Sequence, residues 1–240
     1  MIHEQFERTA ILLGDHALAR LAQAHILVAG LGGVGGQCAD ALARAGVGRL
    51  TLVDNDCIAA SNINRQLPAL HSSVGQAKVD VMRARIGDIN PACQVETLQI
   101  FLTPENMADS LPQGIDYIID CIDTVPSKVV LIATALQRNV PIASSMGAGN
   151  RLDVTRAKLA DISKTHGCGL ARQIRTRLRQ LDITQGVLTV YSDEPPLPPR
   201  PRGDNESRPT NGTISYMPPL FGLMLASAAV RHLIHDGWQA

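Results

Sequence analysis

The six residues Gly30-Leu-Gly32-Gly33-Val-Gly35 constrain the fold more than any other feature, because of what flanks them. Before them runs His25-Ile-Leu-Val-Ala, continuously apolar after the histidine, as in a strand buried on both faces of a parallel sheet. After them residues 34–45 have helical periodicity and stop at Gly46. A G-x-G-x-x-G turn between such a strand and a helix lets backbone approach a phosphate chain, and the helix N-terminus adds partial positive charge. Alone, the pattern also fits a purely structural turn. Asp54 adds to it, ending the strand Arg49-Leu-Thr-Leu-Val-Asp54 some 24 positions after Gly30. There a carboxylate can accept hydrogen bonds from ribose hydroxyls.

The alternation of strands and helices continues along the chain. Residues 1–20 read as helix broken at Gly14, with Ile11, Leu12, Leu18 and Leu21 on one apolar stripe. Helices are expected at 76–86 and 128–139, and strands at 94–101, 117–122 and 140–144. This spacing predicts an α/β, Rossmann-like fold, a doubly wound and mainly parallel sheet with helices on both faces. After Gly149 the pattern changes: a strand over 155–162, a basic helix over 170–181, a strand over 186–192, a strand near 213–217 and an apolar helix over 219–235. Residues 194–209 hold six of the fourteen prolines together with Arg200, Arg202 and Arg208, the composition of an extended or mobile loop. We read one continuous domain over 1–240, with a nucleotide-binding core in 1–150 and a substrate-binding α/β extension in 151–240.

The loop after the second strand narrows the chemistry. It reads Asp54-Asn-Asp56-Cys-Ile-Ala-Ala-Ser-Asn62-Ile-Asn64-Arg65-Gln66, followed by Val74-Gly-Gln-Ala-Lys78. A nicotinamide dehydrogenase needs one acidic residue here and no cluster of Asn, Arg, Gln and Lys. Cleaving a nucleoside triphosphate does need one, because cations must neutralise developing phosphate charge and amides must fix the geometry. Arg65 and Lys78 supply the charges, Asn62 and Gln66 the amides. Asp123, in Asp120-Cys-Ile-Asp123 at the C-terminal end of another strand, suits a Mg²⁺ ligand.

Charge and composition bound the remaining possibilities. The net charge is zero, yet residues 1–150 hold 10 Lys/Arg against 14 Asp/Glu, and residues 151–240 hold 12 against 8. Eight basic residues fall in 151–180: Arg151, Arg156, Lys158, Lys164, Arg172, Arg175, Arg177 and Arg179. Such a run is either a solvated helix face or a surface for a polyanion. Five cysteines, an odd number without a C-x-x-C pair, argue against both a disulfide framework and a four-thiolate zinc site. Cys168, a lone thiol beside two glycines, is a packing residue or an exposed reactive thiol. The first residues do not form a basic-then-apolar leader, and the apolar stretch near 220–230 is short for a bilayer and carries Gly222 and Ser227, so a cytoplasmic protein is expected.

Taken together, GLGGVG, D-x-D, S-N-x-N-R-Q, V-G-x-x-K, N-P and D-x-x-D over residues 8–150 resemble the adenylating domain of the ubiquitin-activating-enzyme superfamily, the ThiF/MoeB/HesA group. The resemblance implies carboxylate activation by ATP, giving an acyl-adenylate and pyrophosphate. It implies ATP contacts from Gly30, Gly32, Gly33, Gly35, Asp54, Asp56, Asn62, Arg65, Gln66 and Lys78, with Mg²⁺ on Asp123 and a catalytic set of Arg65, Lys78 and Asp123. Further on, Asp161-Ile-Ser-Lys-Thr, the basic helix, Val190-Tyr-Ser-Asp-Glu-Pro and Ile214-Ser-Tyr-Met-Pro-Pro are similar to the tRNA threonylcarbamoyladenosine dehydratase family. That family cyclises threonylcarbamoyladenosine in tRNA by displacing AMP with a tethered nucleophile, which needs no cysteine thioester. It gives Lys164, Arg172, Arg175 and Arg179 a role on the tRNA backbone, and implies a homodimer and a cysteine desulfurase system as partners. The chain departs from the family pattern at Gln5, where an arginine is usual and Arg8 is the nearest substitute, at Gly36, and at Cys168-Gly169 in place of Asp-Pro. Three rivals remain: an activator of a ubiquitin-like or sulfur-carrier protein, a non-catalytic nucleotide-binding scaffold, and a nicotinamide dehydrogenase.

Overall fold

In this computed structural model, which describes residues 4–198 and 211–234, the apolar runs become the centre of one sheet. In chain order the elements are α1 (Glu7–Leu13), α2 (Asp15–Gln23), β1 (His25–Ala29), α3 (Gly35–Arg44), β2 (Arg49–Val53), α4 (Lys78–Ile89), β3 (Gln94–Leu98), α5 (Met107–Ser110), β4 (Tyr117–Asp120), α6 (Val125–Gln137), β5 (Ile142–Ser145), β6 (Ala157–Asp161), α7 (Gly169–Arg179), β7 (Leu188–Ser192) and α8 (Met217–Ile234). The sheet order is β3-β2-β1-β4-β5-β7-β6. Every pairing is parallel except β6 with β7, which is antiparallel. β1, β4 and β5 are buried along their whole length, as strands of a parallel sheet covered on both faces should be. The chain builds outward from β1 through β2 to β3, then returns to start β4 on the other side of β1. The C-terminal ends of β1 and β4 therefore border the crevice where ligands bind in such sheets.

Two apolar layers cover the faces. Leu21, Leu42, Met82, Ile86, Phe221 and Leu225 bring α2, α3, α4 and α8 onto one face. Met107, Leu131, Ile132, Ile174 and Leu178 bring α5, α6 and α7 onto the other. α8 has the length and hydropathy of a membrane span, yet Phe221, Leu225, Ala228 and Ala229 are buried against the fold.

Three expectations need correction. No strand forms near residues 213–217, because the segment's polar groups turn to neighbouring asparagines: Asn150 N donates to Gly212 O at 2.8 Å and Asn64 Nδ2 to Thr213 O at 3.0 Å. Ile11 and Leu12 do not share the buried stripe of Leu18 and Leu21. α1 has no buried residue, and both side chains are about four-fifths exposed at 80% and 82%. Gly14, at φ +81°, turns α1 off the line of α2. The third strand stops at Leu98, and residues 100–102 bend away from the sheet. Cys168 is buried, in keeping with its reading as a packing residue. Of the proline-rich segment, residues 199–210 lie outside the described residues, as does His235.

Candidate active site

The crevice is closed at its base by backbone contacts that only glycine permits. Gly30 N donates to Val53 O at 2.7 Å and Cys121 N to Ala29 O at 2.8 Å, holding the loops after β1, β2 and β4 together. Gly30 has φ +87°, a conformation unfavourable to residues with a Cβ. A Cβ on Gly35 would fall 1.7 Å from Gly30 O, so the first turn of α3 can approach the strand end only as glycine. At Gly32 the space is open, the nearest atom being Gln66 Nε2 at 3.8 Å.

Above this base lies a cavity of about 770 Å³ that draws together Gly30, Gly32, Gly33, Asp54, Asp56, Asn62, Arg65, Gln66, Lys78 and Asp123. Of the ATP set predicted from sequence, Gly35 alone is not at its wall; it serves the packing beneath. Asp54 is nearly buried and accepts from Leu31 N at 2.6 Å and from Asp56 N at 2.8 Å, which fixes the glycine turn against the next loop. Lys78 opens α4 and is buried. Its Nζ lies 2.6 Å from Asp56 and 3.8 Å from Asp54. A Cys57–Ala77 bridge and the bond from Lys78 N to Asp56 O clamp the two ends of the long loop, and so set this ion pair. Arg65 differs from Lys78: it donates to Ser61 O at 3.0 Å and Asn64 Oδ1 at 2.9 Å, and among the described residues no carboxylate pairs with it. Gln66 is buried, and among the described residues its Oε1 has no partner. Asn62 accepts from Ala59 N and so braces its own turn.

Asp123 is exposed at the cavity mouth. The loop that carries it is anchored by a group sequence reading passed over. Lys128 is fully buried and donates to Asp120 Oδ2 at 2.7 Å and Ser144 Oγ at 3.2 Å, while Ser144 Oγ donates to the same carboxylate at 2.6 Å. The other oxygen of Asp120 accepts from Ile122 N at 3.1 Å. A buried charge survives only when paired and hydrogen-bonded, and this pair locks β4 to β5 and to the turn before Asp123. Cys121 also lines the cavity, and burial pushes its thiol well above the ordinary range, which keeps it protonated. The bent residues Ile100, Phe101 and Leu102 form an apolar wall, the surface a purine face needs. Gly169, Leu170 and Gln173 of α7 reach the opposite rim, so a second helix begins at the cavity.

The basic run is less open than its composition suggested. Arg151 is buried, donating to the carbonyls of Ser192 and Gly167. Arg156 and Lys158 pair with Asp193, whose carboxyl they hold well below the usual range, the Lys158 hydrogen bond being the leading cause. His166 lies 3.4 Å from the same carboxylate. Arg175 donates to Thr165 O and Oγ1. Lys164, Arg172, Arg177 and Arg179 are exposed, the last three on α7.

The comparisons agree with this architecture. The ThiF family model matches residues 6–239. The chain is 42% identical to a tRNA threonylcarbamoyladenosine dehydratase of Bacillus subtilis, a match spanning 98% of this chain and 96% of that one. The fold superposes with a TM-score of 0.89 and 37% identity on the Escherichia coli tRNA N6-threonylcarbamoyladenosine dehydratase TcdA solved with ATP, covering 96% of this chain and 94% of that one. Similarity to the Escherichia coli sulfur carrier protein ThiS adenylyltransferase is 36% and spans 60% of this chain and 59% of that one.

Proposed function

The chain belongs to the ThiF family, and from that premise we propose that it is an ATP-dependent tRNA threonylcarbamoyladenosine dehydratase. One observation carries the choice of substrate within the family. The likeness to the Bacillus subtilis dehydratase spans 98% of the chain, whereas the likeness to the carrier-protein adenylyltransferase spans 60%.

The chemistry follows from the cavity. A carboxylate oxygen of the threonyl group attacks the α-phosphorus of ATP, the bond to pyrophosphate breaks, and an acyl-adenylate forms. A nucleophile within the same threonylcarbamoyl group then attacks the acyl carbon. AMP departs with the former carboxylate oxygen, and the nucleoside is left as a ring, lighter by one water. Because the nucleophile is tethered, its effective concentration is high and no thioester is needed; the protonated Cys121 is consistent with that.

We assign Arg65 to the phosphates, because its charge is not already balanced by a carboxylate. Lys78 joins it by exchanging Asp56 for a phosphate oxygen. Gly32, Gly33 and the α3 N-terminus cradle the chain, Asn62 and Gln66 supply amides, and Asp54 and Asp56 take the ribose side. Three carboxylates, Asp54, Asp56 and Asp123, face two cations, Arg65 and Lys78, so the cavity alone cannot neutralise a triphosphate. Mg²⁺ fits this deficit. Among the described residues no three metal-binding side chains cluster, and Mg²⁺ characteristically takes one or two carboxylates plus phosphate oxygens and water. Asp123 would hold it, and the ion would supply charge neutralisation on the phosphates. Lys164, Arg172 and Arg179 take the tRNA backbone, while Arg175, tied to Thr165, shapes the loop before α7. A second copy of the chain is the proposed partner for the exposed Ile11 and Leu12. A cysteine desulfurase partner rests on the family resemblance alone.

The test is to incubate the protein with ATP, Mg²⁺ and tRNA bearing threonylcarbamoyladenosine, digest the tRNA and weigh the nucleoside. Loss of one water, seen only with ATP, is the expected result. An unchanged nucleoside with ATP intact would move the assignment to a carrier protein.

A further inference from the structure

The nucleotide cavity has a neighbour. Arg65, Asn211 and Thr213 line it and also line a second cavity of about 950 Å³. The partition is residues 211–214, held from both sides. Asn64 Nδ2 donates to Thr213 O at 3.0 Å, Gly212 N donates to Asn150 Oδ1 at 2.7 Å, and Asn150 Nδ2 donates to Asn211 Oδ1 at 2.8 Å. Asn150 has φ +58°, the left-handed region that asparagine tolerates better than most residues, and its carbonyl accepts from Leu197 N at 2.8 Å. Tyr216 Oη donates to Leu152 O at 3.1 Å, closing the same wall lower down.

The two cavities differ in chemistry. The second has no carboxylate among its described lining residues. Its described cations are Arg65 and Arg151, and both donate only to neutral acceptors, Arg65 to Ser61 O and Asn64 Oδ1 and the buried Arg151 to the carbonyls of Ser192 and Gly167. Its remaining surface combines the amides of Asn64, Asn150 and Asn211 with the half-exposed aliphatic side chains Leu152, Leu197 and Ile214.

We propose that this second cavity receives the threonylcarbamoyl-adenosine nucleoside of the tRNA and presents its carboxylate to the nucleotide cavity past Arg65. The proposal rests on the dehydratase reading and adds where the substrate sits. Adenylation requires the carboxylate to touch the α-phosphate, so the acceptor must sit next to the nucleotide, and this cavity adjoins the nucleotide cavity across Arg65, Asn211 and Thr213. The ligand must tolerate a wall that carries positive charge, amide hydrogen-bonding groups and flat apolar surface. A purine joined through a carbamoyl group to a carboxylate has that pattern, and the volume is in the range of small-ligand sites. An extended protein tail would call for a strand edge to pair with, and no strand residue is among the described lining residues of this cavity.

The test places a carboxylate where only the second cavity is affected. Leu152→Glu and Leu197→Glu change residues that line the second cavity and not the first. Their KM for the modified tRNA should rise about tenfold or more, as like charges meet. ATP affinity by titration calorimetry and the melting temperature should stay at wild-type values, and Leu152→Met should keep the wild-type KM. A parallel measurement uses the free nucleoside as a competitive inhibitor, whose Ki should rise in the same variants. This arm also serves if one Glu variant fails to fold. If the wild type dehydrates the nucleoside but KM and Ki are unchanged in the variants, the cavity assignment is overturned and the dehydratase reading stands. If ATP affinity falls with them, a separate substrate cavity is overturned. If the wild type does not dehydrate the nucleoside, the dehydratase reading fails and takes this one with it.

Discussion

The two cavities that share Arg65 are built in opposite ways. The nucleotide cavity takes its charged groups, among the described residues, from the loops that directly follow β2 and β4 and from Lys78 at the start of α4, and its glycines from the turn after β1. The second cavity is assembled from residues 60–65, 150–152, 197–198 and 211–214, held by asparagines bonding across long sequence separations. A parallel sheet delivers consecutive loop residues to one edge, so spacing in the sequence becomes proximity in space. Where several distant segments meet instead, residues such as Asn150 and Leu152 carry no local signature. The first cavity is also charged and internally paired, whereas the second is mostly neutral.

The largest expected effect tests that internal pairing. Arg65→Ala and Lys78→Ala should each lower adenylate formation by about 10²–10³, measured as ATP–pyrophosphate exchange, as for loss of one transition-state donor. Their stabilities should differ. Arg65 leaves only neutral acceptors behind, but Lys78 is buried between Asp54 and Asp56 and its removal leaves two carboxylates facing each other. The melting temperature should therefore fall for Lys78→Ala and hold for Arg65→Ala. Full exchange activity in either variant would overturn the phosphate assignment.

Within the glycine turn the contrast between packing and binding becomes a pair of substitutions. Gly35→Ala should destabilise the protein by about 3 kcal/mol, since its Cβ would overlap the backbone oxygen of Gly30. Gly32→Ala should leave the melting temperature unchanged and weaken ATP binding, because its Cβ would enter open cavity space. Equal stability losses in thermal denaturation would show that the whole turn is packing.

Sequence reading succeeded where chemistry was local and failed where it was not. Apolar residues located β1, β2, β4 and β5, and the motif loops supplied every charged side chain among the described residues of the nucleotide wall. Lys128 was passed over because its partner Ser144 lies sixteen residues away on the next strand. Ile100, Phe101 and Leu102 looked like the end of a strand, since an apolar run does not announce where it leaves the sheet. Arg151, Arg156 and Lys158 counted as open basic charge because their partners, Ser192 and Asp193, stand more than thirty positions away.

That correction leaves α7 as the sharper test of the basic surface. Arg172→Glu with Arg179→Glu should weaken tRNA binding about tenfold or more and reduce the salt slope of log K by about two, with ATP affinity unchanged. Arg175→Ala should act differently, costing stability through Thr165 and changing the salt slope little. If the double variant binds tRNA normally at every salt concentration, α7 is a solvated face.

The smallest effect concerns Asp193, where the sign of the pH dependence separates a charge from a shape. Lys158 and Arg156 hold its carboxyl below the usual range, with His166 also beside it. A carboxyl whose folded-state pKa is depressed stabilises the fold at pH values above its unfolded pKa of about 4, and that contribution drains away as pH falls toward the folded pKa. Asp193→Asn should thus lower the melting temperature at pH 7 by a few degrees at most, because both cations are nearly half exposed and screened. The gap to wild type should narrow steadily between about pH 4 and pH 2. A gap independent of pH over that range would mean that Asp193 acts through hydrogen-bond geometry with Arg156, which asparagine only partly reproduces. The cluster would then hold the β6–β7 edge by shape, as the asparagines around residue 212 hold theirs.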